Sequence, residues 1–187
     1  LLQGRSVDPD AEDYTTYKTW SWPGAGGGAT PTPSPPPPPA PSDPNVTPII
    51  TAQSSSLDGF DTYQLAVTLT GDASNVYTIY GTTTSPMNFP PAFQQATPFG
   101  ANVGGVSPAF FAVSATAAYD SWLTVGLDYD KSKALSSVGL DASFKTWSAT
   151  KGFSVSDGAV FWMNPANGPK AGKPVLVAQL TVAKGSK

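Results

Sequence analysis

Ten of the chain's twenty prolines fall between Pro31 and Pro48, within the stretch TPTPSPPPPPAPSDPNVTP at residues 30 to 48. Proline fixes φ near about −65° and carries no N–H, so a run of this density forms neither a helix nor an inner strand. It reads as a semi-rigid polyproline II rod, and Pro31 to Pro41 span roughly 34 Å at about 3.1 Å per residue. The rod divides the chain into an extended N-terminal arm (1–29), the proline-rich linker (30–48) and a body (49–187). A stiff spacer matters most when the arm reaches something other than its own body.

The body reads as short β-segments separated by turn residues. In residues 62 to 70, Tyr63, Leu65, Val67 and Leu69 alternate with Thr62, Gln64, Ala66, Thr68 and Thr70, the period of a half-buried strand. Further strands are expected at residues 76–82, 109–114, 119–127, 135–140, 144–147, 153–155, 160–163 and 174–182. Residues 85–108 hold five prolines and read as a long ordered loop or interrupted edge segments. No amphipathic helix is expected. Many short antiparallel strands without helices predict an all-β, two-sheet antiparallel sandwich of immunoglobulin-like or jelly-roll type.

Composition excludes several functions. The chain contains no cysteine and no histidine, which removes disulfides, thiolate metal sites, the usual general base and any ordinary catalytic triad. Its one glutamate, Glu12, lies in the arm, and the other carboxylates are scattered aspartates, so no glycosidase pair stands out. An enzyme is not expected. The net charge of −3 with no basic patch argues against nucleic acid, and no apolar stretch is long enough to span a membrane. Calcium could draw on Asp58 and Asp61, or on Asp128 and Asp130, but neither pair sits in a full binding loop, so no metal site or cofactor is expected. Only 12% of residues are charged, so solubility must come from glycans or from burial in an assembly. The first residue is Leu1 rather than Met, as a processed secreted chain would have.

The arm combines an acidic cluster (Asp8, Asp10, Glu12, Asp13) with four aromatics (Tyr14, Tyr17, Trp20, Trp22). Disordered tails are poor in such residues, and its threonines and aromatics favour a strand. Lys170, Lys173 and Lys184 supply a basic complement near the C-terminus, with no acid after Asp157. Acidic arm and basic tail suit a head-to-tail contact, and heterologous contacts that do not close give filaments. The arm is therefore expected to add as a strand to a neighbouring copy, with docking on its own body as the alternative.

The sequence Thr30-Pro31-Thr32-Pro33-Ser34-Pro35 and the run Pro35, Pro36, Pro37, Pro38, Pro39 resemble the hydroxyproline-rich glycoproteins of plant and algal surfaces. That resemblance implies hydroxylation and O-glycans on these residues and on Pro41 and Ser42. Asn45-Val46-Thr47 is an N-glycosylation sequon at Asn45. Residues 118–126 (AYDSWLTVG) and 175–182 (VLVAQLTV) resemble β-sandwich domains of secreted microbial and algal surface proteins. Together with the rod they look like subunits of glycosylated extracellular fibrils. The resemblance implies a non-enzymatic structural protein, at the cell surface or shed, whose partners are its own copies and covalent glycans. The rival expectation is a secreted carbohydrate-binding module in which Trp122, Trp147 and Trp162 stack on sugar rings.

Overall fold

The computed structural model describes residues 44–54 and 57–186. Nine strands run in the order β1 (Val46–Ala52), β2 (Phe60–Leu69), β3 (Thr78–Gly81), β4 (Met87–Phe89), β5 (Trp122–Leu123), β6 (Leu135–Val138), β7 (Phe153–Val155), β8 (Gly158–Trp162) and β9 (Val175–Ala183). They form a four-stranded sheet β1-β2-β9-β5, a three-stranded sheet β3-β8-β6 and the pair β4-β7, with every strand pair antiparallel. The expected all-β antiparallel sandwich is the fold.

The main core lies between the four-stranded sheet and the two smaller ones. Leu123, Ala178, Leu180 and Val182 from one side meet Leu135 and Val160 from the other, with Phe89, Phe144, Trp147 and Phe153 closing one end. Leu123 and Val160 are wholly buried. Each fully buried aliphatic side chain stabilises the sandwich by about 1.5–3 kcal/mol.

The opposite face of the four-stranded sheet is covered as well. Residues 93–121 pack over it, where Val106, Ala117 and Trp122 form a second cluster with Phe99, Ala101 and Leu176. A register irregularity between Leu65 and Ala66 of β2, opposite an extra residue (Val177) in β9, accounts for Leu176 joining this cluster while Ala178 joins the main core. Beneath the cover, Thr62 and Thr181 hydroxyls share a 2.8 Å hydrogen bond. The buried Thr62, Asp120, Ser121, Thr124, Gln179 and Thr181 side chains are tolerated because each finds a partner, whereas the buried Gln94 side-chain nitrogen has none among the described residues.

The structure corrects the expected strands at several places. Residues 119–127 alternate as a strand does, yet only Trp122–Leu123 pair. The alternation holds locally, since Trp122 enters the outer cluster and Leu123 the main core. Side-chain bonds then displace the ladder: the Ser121 hydroxyl accepts the Thr181 N–H, and Gly126 turns the chain at φ +81°. Residues 109–114 are no strand; Pro108–Phe110 form a short 3-10 helix, as a proline at the first turn favours. Residues 144–147 close the one-turn helix α1 (Asp141–Phe144), and Ala115–Tyr119 and Pro165–Asn167 are further 3-10 turns.

β1 begins at Val46, three residues before the expected start of the body, and it contains Pro48. The Asn45 carbonyl accepts the Thr70 N–H, and the Gln53 N–H reaches the Thr62 carbonyl. Along an antiparallel pair, backbone groups alternate between facing the partner and facing away. The unbroken register from Val46↔Leu69 to Ala52↔Tyr63 therefore turns Thr47, Ile49 and Thr51 toward β2, and Val46, Pro48, Ile50 and Ala52 outward. Pro48 stands where its missing N–H breaks no bond in the sheet, which is how a proline survives in an edge strand.

Candidate functional site

The expected assembly residues of the arm (Asp8, Asp10, Glu12, Asp13, Tyr14, Tyr17, Trp20, Trp22) and the expected glycan positions from Thr30 to Ser42 lie outside the described residues. Asn45 is described: it leads into β1, half-buried, with its side-chain oxygen against Gly71. The three expected lysines do not form one patch. Lys170 and Lys173 precede β9, whereas Lys184 follows it, so nine strand residues, about 30 Å, separate the groups.

The three body tryptophans form no sugar platform. Trp122 and Trp147 are each 3% exposed and sit in different clusters. Trp147 donates its ring N–H to the Pro90 carbonyl and Trp162 to the Val125 carbonyl, each at 2.8 Å. Their polar edges are spent inside the fold.

The carboxylates hold loops. Asp130 accepts the N–H groups of Ala134 and Leu135 at 2.9 and 2.8 Å and so fixes the turn before β6. Among the described residues no group of three or more potential His, Cys, Asp or Glu ligands converges. Asp120 went unremarked as a site in the sequence, although an aspartate inside the apolar run AYDSWLTV is a signal. It is 1% exposed, and its oxygens accept the N–H groups of Gln95 (2.7 Å), Ala101 (2.6 Å) and Ser121 (3.0 Å). Burial pushes its carboxyl up from 3.8 to about 6, against the opposing pull of the three backbone hydrogen bonds. All three donors come from the cover over the sheet, so Asp120 acts as a clasp on that cover.

What the surface offers is apolar. On the three-stranded sheet, Gly158, Val160 and Trp162 of β8 turn inward, so Ala159 and Phe161 turn outward. Tyr80 of β3 and Val138 of β6 both stand opposite Ala159, and they are 63% and 60% exposed. With Phe161 and the exposed Met163 they make an outward row of apolar side chains in a charge-poor body. Singly exposed apolar residues are ordinary; here they stand side by side across neighbouring strands.

A second apolar feature lies on the other sheet. Ile50, Tyr63, Leu65, Pro90, Leu180, Val182 and Ser186 line a groove of about 270 Å³ beside β1. Across the sheet, Ile49, Thr51, Gln64, Ala66 and Asp128 help line a more polar hollow of about 450 Å³. β1 thus separates an apolar groove from a hollow of mixed lining, to which Ile49, Ala66, Pro174 and Leu176 also contribute, and among the described residues nothing pairs with its outer edge. The sequence hid this site because Ile49 and Ile50 follow directly on the proline-rich linker.

The topology defines a class, an antiparallel sandwich in which, among the described residues, β1 is an open edge of the four-stranded sheet and the three-stranded sheet shows an exposed apolar face. The chain matches no protein-family model, and no curated protein or solved structure resembles it significantly.

Proposed function

We propose that this chain is a structural subunit of an extracellular, glycosylated fibre, built head to tail as the arm of one copy engages the body of the next. The observation that carries the reading is the outward apolar row of Tyr80, Ala159, Val138, Phe161 and Met163. A charge-poor body bearing such a row gains most by burying it against another copy. The carboxylates support the same reading, because Asp120 and Asp130 are engaged in holding loops. Proline-flanked Ser and Thr in the linker supply the attachment points for the glycan coat.

Electron microscopy of the purified native chain tests the assembly, and intact mass tests the coat. Filaments of a regular repeat, made of a chain heavier than 19.3 kDa, are the expected result. Dispersed monomers that bind polysaccharide would replace this reading with a carbohydrate-binding one. Filaments of an unmodified chain would keep the fibre and remove the glycans.

A further inference from the structure

The fibre reading leaves open where the arm docks, and the outer edge of β1 has the geometry for it. Its outward backbone groups are the N–H and C=O of Val46, Ile50 and Ala52, plus the C=O of Pro48. Ile50 and Ala52 therefore offer complete donor–acceptor sets, while Pro48 offers an acceptor alone. A strand that adds here finds its bonds concentrated from Ile50 onward. An exposed edge of this kind is a template for another chain unless it is blunted, and β1 (VTPIITA) is blunted at Pro48 but carries no charged residue, so its stretch from Ile50 to Ala52 stays open.

The two faces flanking that edge differ, and the arm differs in the same way. Ile50 is 69% exposed and borders the apolar groove with Tyr63, Leu65, Leu180 and Val182. On the other side Thr51 and Gln64, with Ile49 and Ala66 beside them, border the more polar hollow. Strand periodicity places Tyr14, Thr16, Lys18, Trp20 and Trp22 on one face of the arm, and Thr15, Tyr17, Thr19 and Ser21 on the other. Laid along β1, the first set brings two adjacent indoles over Ile50 and the apolar groove. The second brings hydroxyls to the polar hollow. A one-residue slip would reverse both matches, so the pattern also sets the register parity.

We infer that the outer edge of β1, from Ile50 to Ala52, is the acceptor for residues 14–22 of a second copy, with Trp20 and Trp22 seated on the groove lined by Ile50, Tyr63, Leu65, Leu180 and Val182. This rests on the fibre reading and names the contact that would propagate it. Main-chain bonds hold the added strand, and the alternate side chains select it.

The absence of cysteine makes the full chain a clean background for crosslinking. Thr51 faces β2 with its backbone, so a residue opposite it in an added strand forms a non-hydrogen-bonded pair at a Cα separation of about 4.5 Å, within disulfide range. Chains carrying Thr51→Cys are mixed with chains carrying Thr15→Cys, Thr19→Cys or Ser21→Cys, then oxidised mildly. At least one mixture is expected to give a covalent heterodimer, and the corresponding double variant a ladder of multimers. Ile50→Asp, at an exposed site, is expected to weaken association at least tenfold and leave the melting temperature of the dispersed chain within a few degrees. A double variant that crosslinks only within single chains would overturn docking between copies. Filaments that persist with no crosslink at any position, and with Ile50→Asp silent, would place the acceptor elsewhere and leave the fibre reading intact. Failure of the unsubstituted chain to form filaments would refute the fibre reading itself, whatever the crosslinks show.

Discussion

Asp120→Asn should abolish a pH-dependent part of the stability that can be worked out in advance. The folded carboxyl titrates near about 6 rather than 3.8, because burial outweighs three backbone donors. The folded state therefore holds its proton more tightly than the unfolded state does. The stabilisation is fully present below about pH 4 and is lost as pH rises through about 6. At about 1.4 kcal/mol per pH unit, a rise from 3.8 to about 6 corresponds to about 3 kcal/mol between those limits. Asparagine cannot titrate, so its stability lacks this slope. It also points an NH2 group at a site built from N–H donors, which costs about 1–3 kcal/mol at every pH. Its deficit relative to the natural chain should thus be largest near pH 4 and shrink by about 3 kcal/mol by pH 7. Urea unfolding of dispersed chains, followed by tryptophan fluorescence at half-unit pH steps, reads this directly. All other acids are common to both chains and cancel in the difference. Parallel stability curves from pH 4 to 7 would show that Asp120 does not titrate as its burial requires.

Gly105 lies at φ +81°, and a Cβ there would run into the Asp128 carbonyl and touch Trp122, whereas Gly59 at φ +78° faces open space. Gly105→Ala should lower stability by more than about 2 kcal/mol and Gly59→Ala by only about 1 kcal/mol, the strain of φ alone, when both are compared by denaturant midpoint. Trp162→Phe removes the donor to the Val125 carbonyl and should cost about 1–3 kcal/mol in the same assay. Replacing Pro35–Pro39 with Gly and Ser should shift the chain from filaments toward closed monomers in light scattering; undiminished filaments would rule out linker stiffness as the deciding factor.

β2 was legible from its two-residue period; β9 was legible as a strand, but the alternation that put Leu176 on one face with Ala178, Leu180 and Val182 fails at the extra residue Val177, which sends Leu176 to the opposite face. The segment 119–127 showed the same period and still failed to extend, because the Ser121 hydroxyl takes the Thr181 N–H at one end, and at the other the extra residue Val177 of β9 breaks the register although the Thr124 and Gly126 N–H groups still reach the Val177 and Leu176 carbonyls. The Thr124 hydroxyl donates to the Leu127 carbonyl at 2.6 Å and closes a turn where a ladder bond was expected. Periodicity reports which side a residue faces, and competition from local side-chain bonds decides whether the backbone pairs. β1 was hidden for another reason. An edge strand that is mostly exposed carries no alternation to read, and its proline suggested linker.

Linker stiffness and the position of β1 bear on the same question, whether an arm docks on its own body or on another. From Trp22 to Pro31 the chain has nine steps, with a reach of at most about 32 Å. If Pro31 to Pro41 form the expected polyproline rod of roughly 34 Å, a joint of that reach falls short of returning Trp22 to the height of Pro41 even when stretched fully back along the rod. Ile50 lies nine residues further on. A flexible linker of equal length would impose no such demand, and its short end-to-end distance would favour capture by the parent body. Under the fibre reading, a stiff linker would lower the effective concentration of the arm at its own edge and favour the edge of another copy. On that reading the proline run would hold the arm off its own body, and β1, blunted at Pro48 but by no charge, would leave Ile50 to Ala52 open to a strand from another copy.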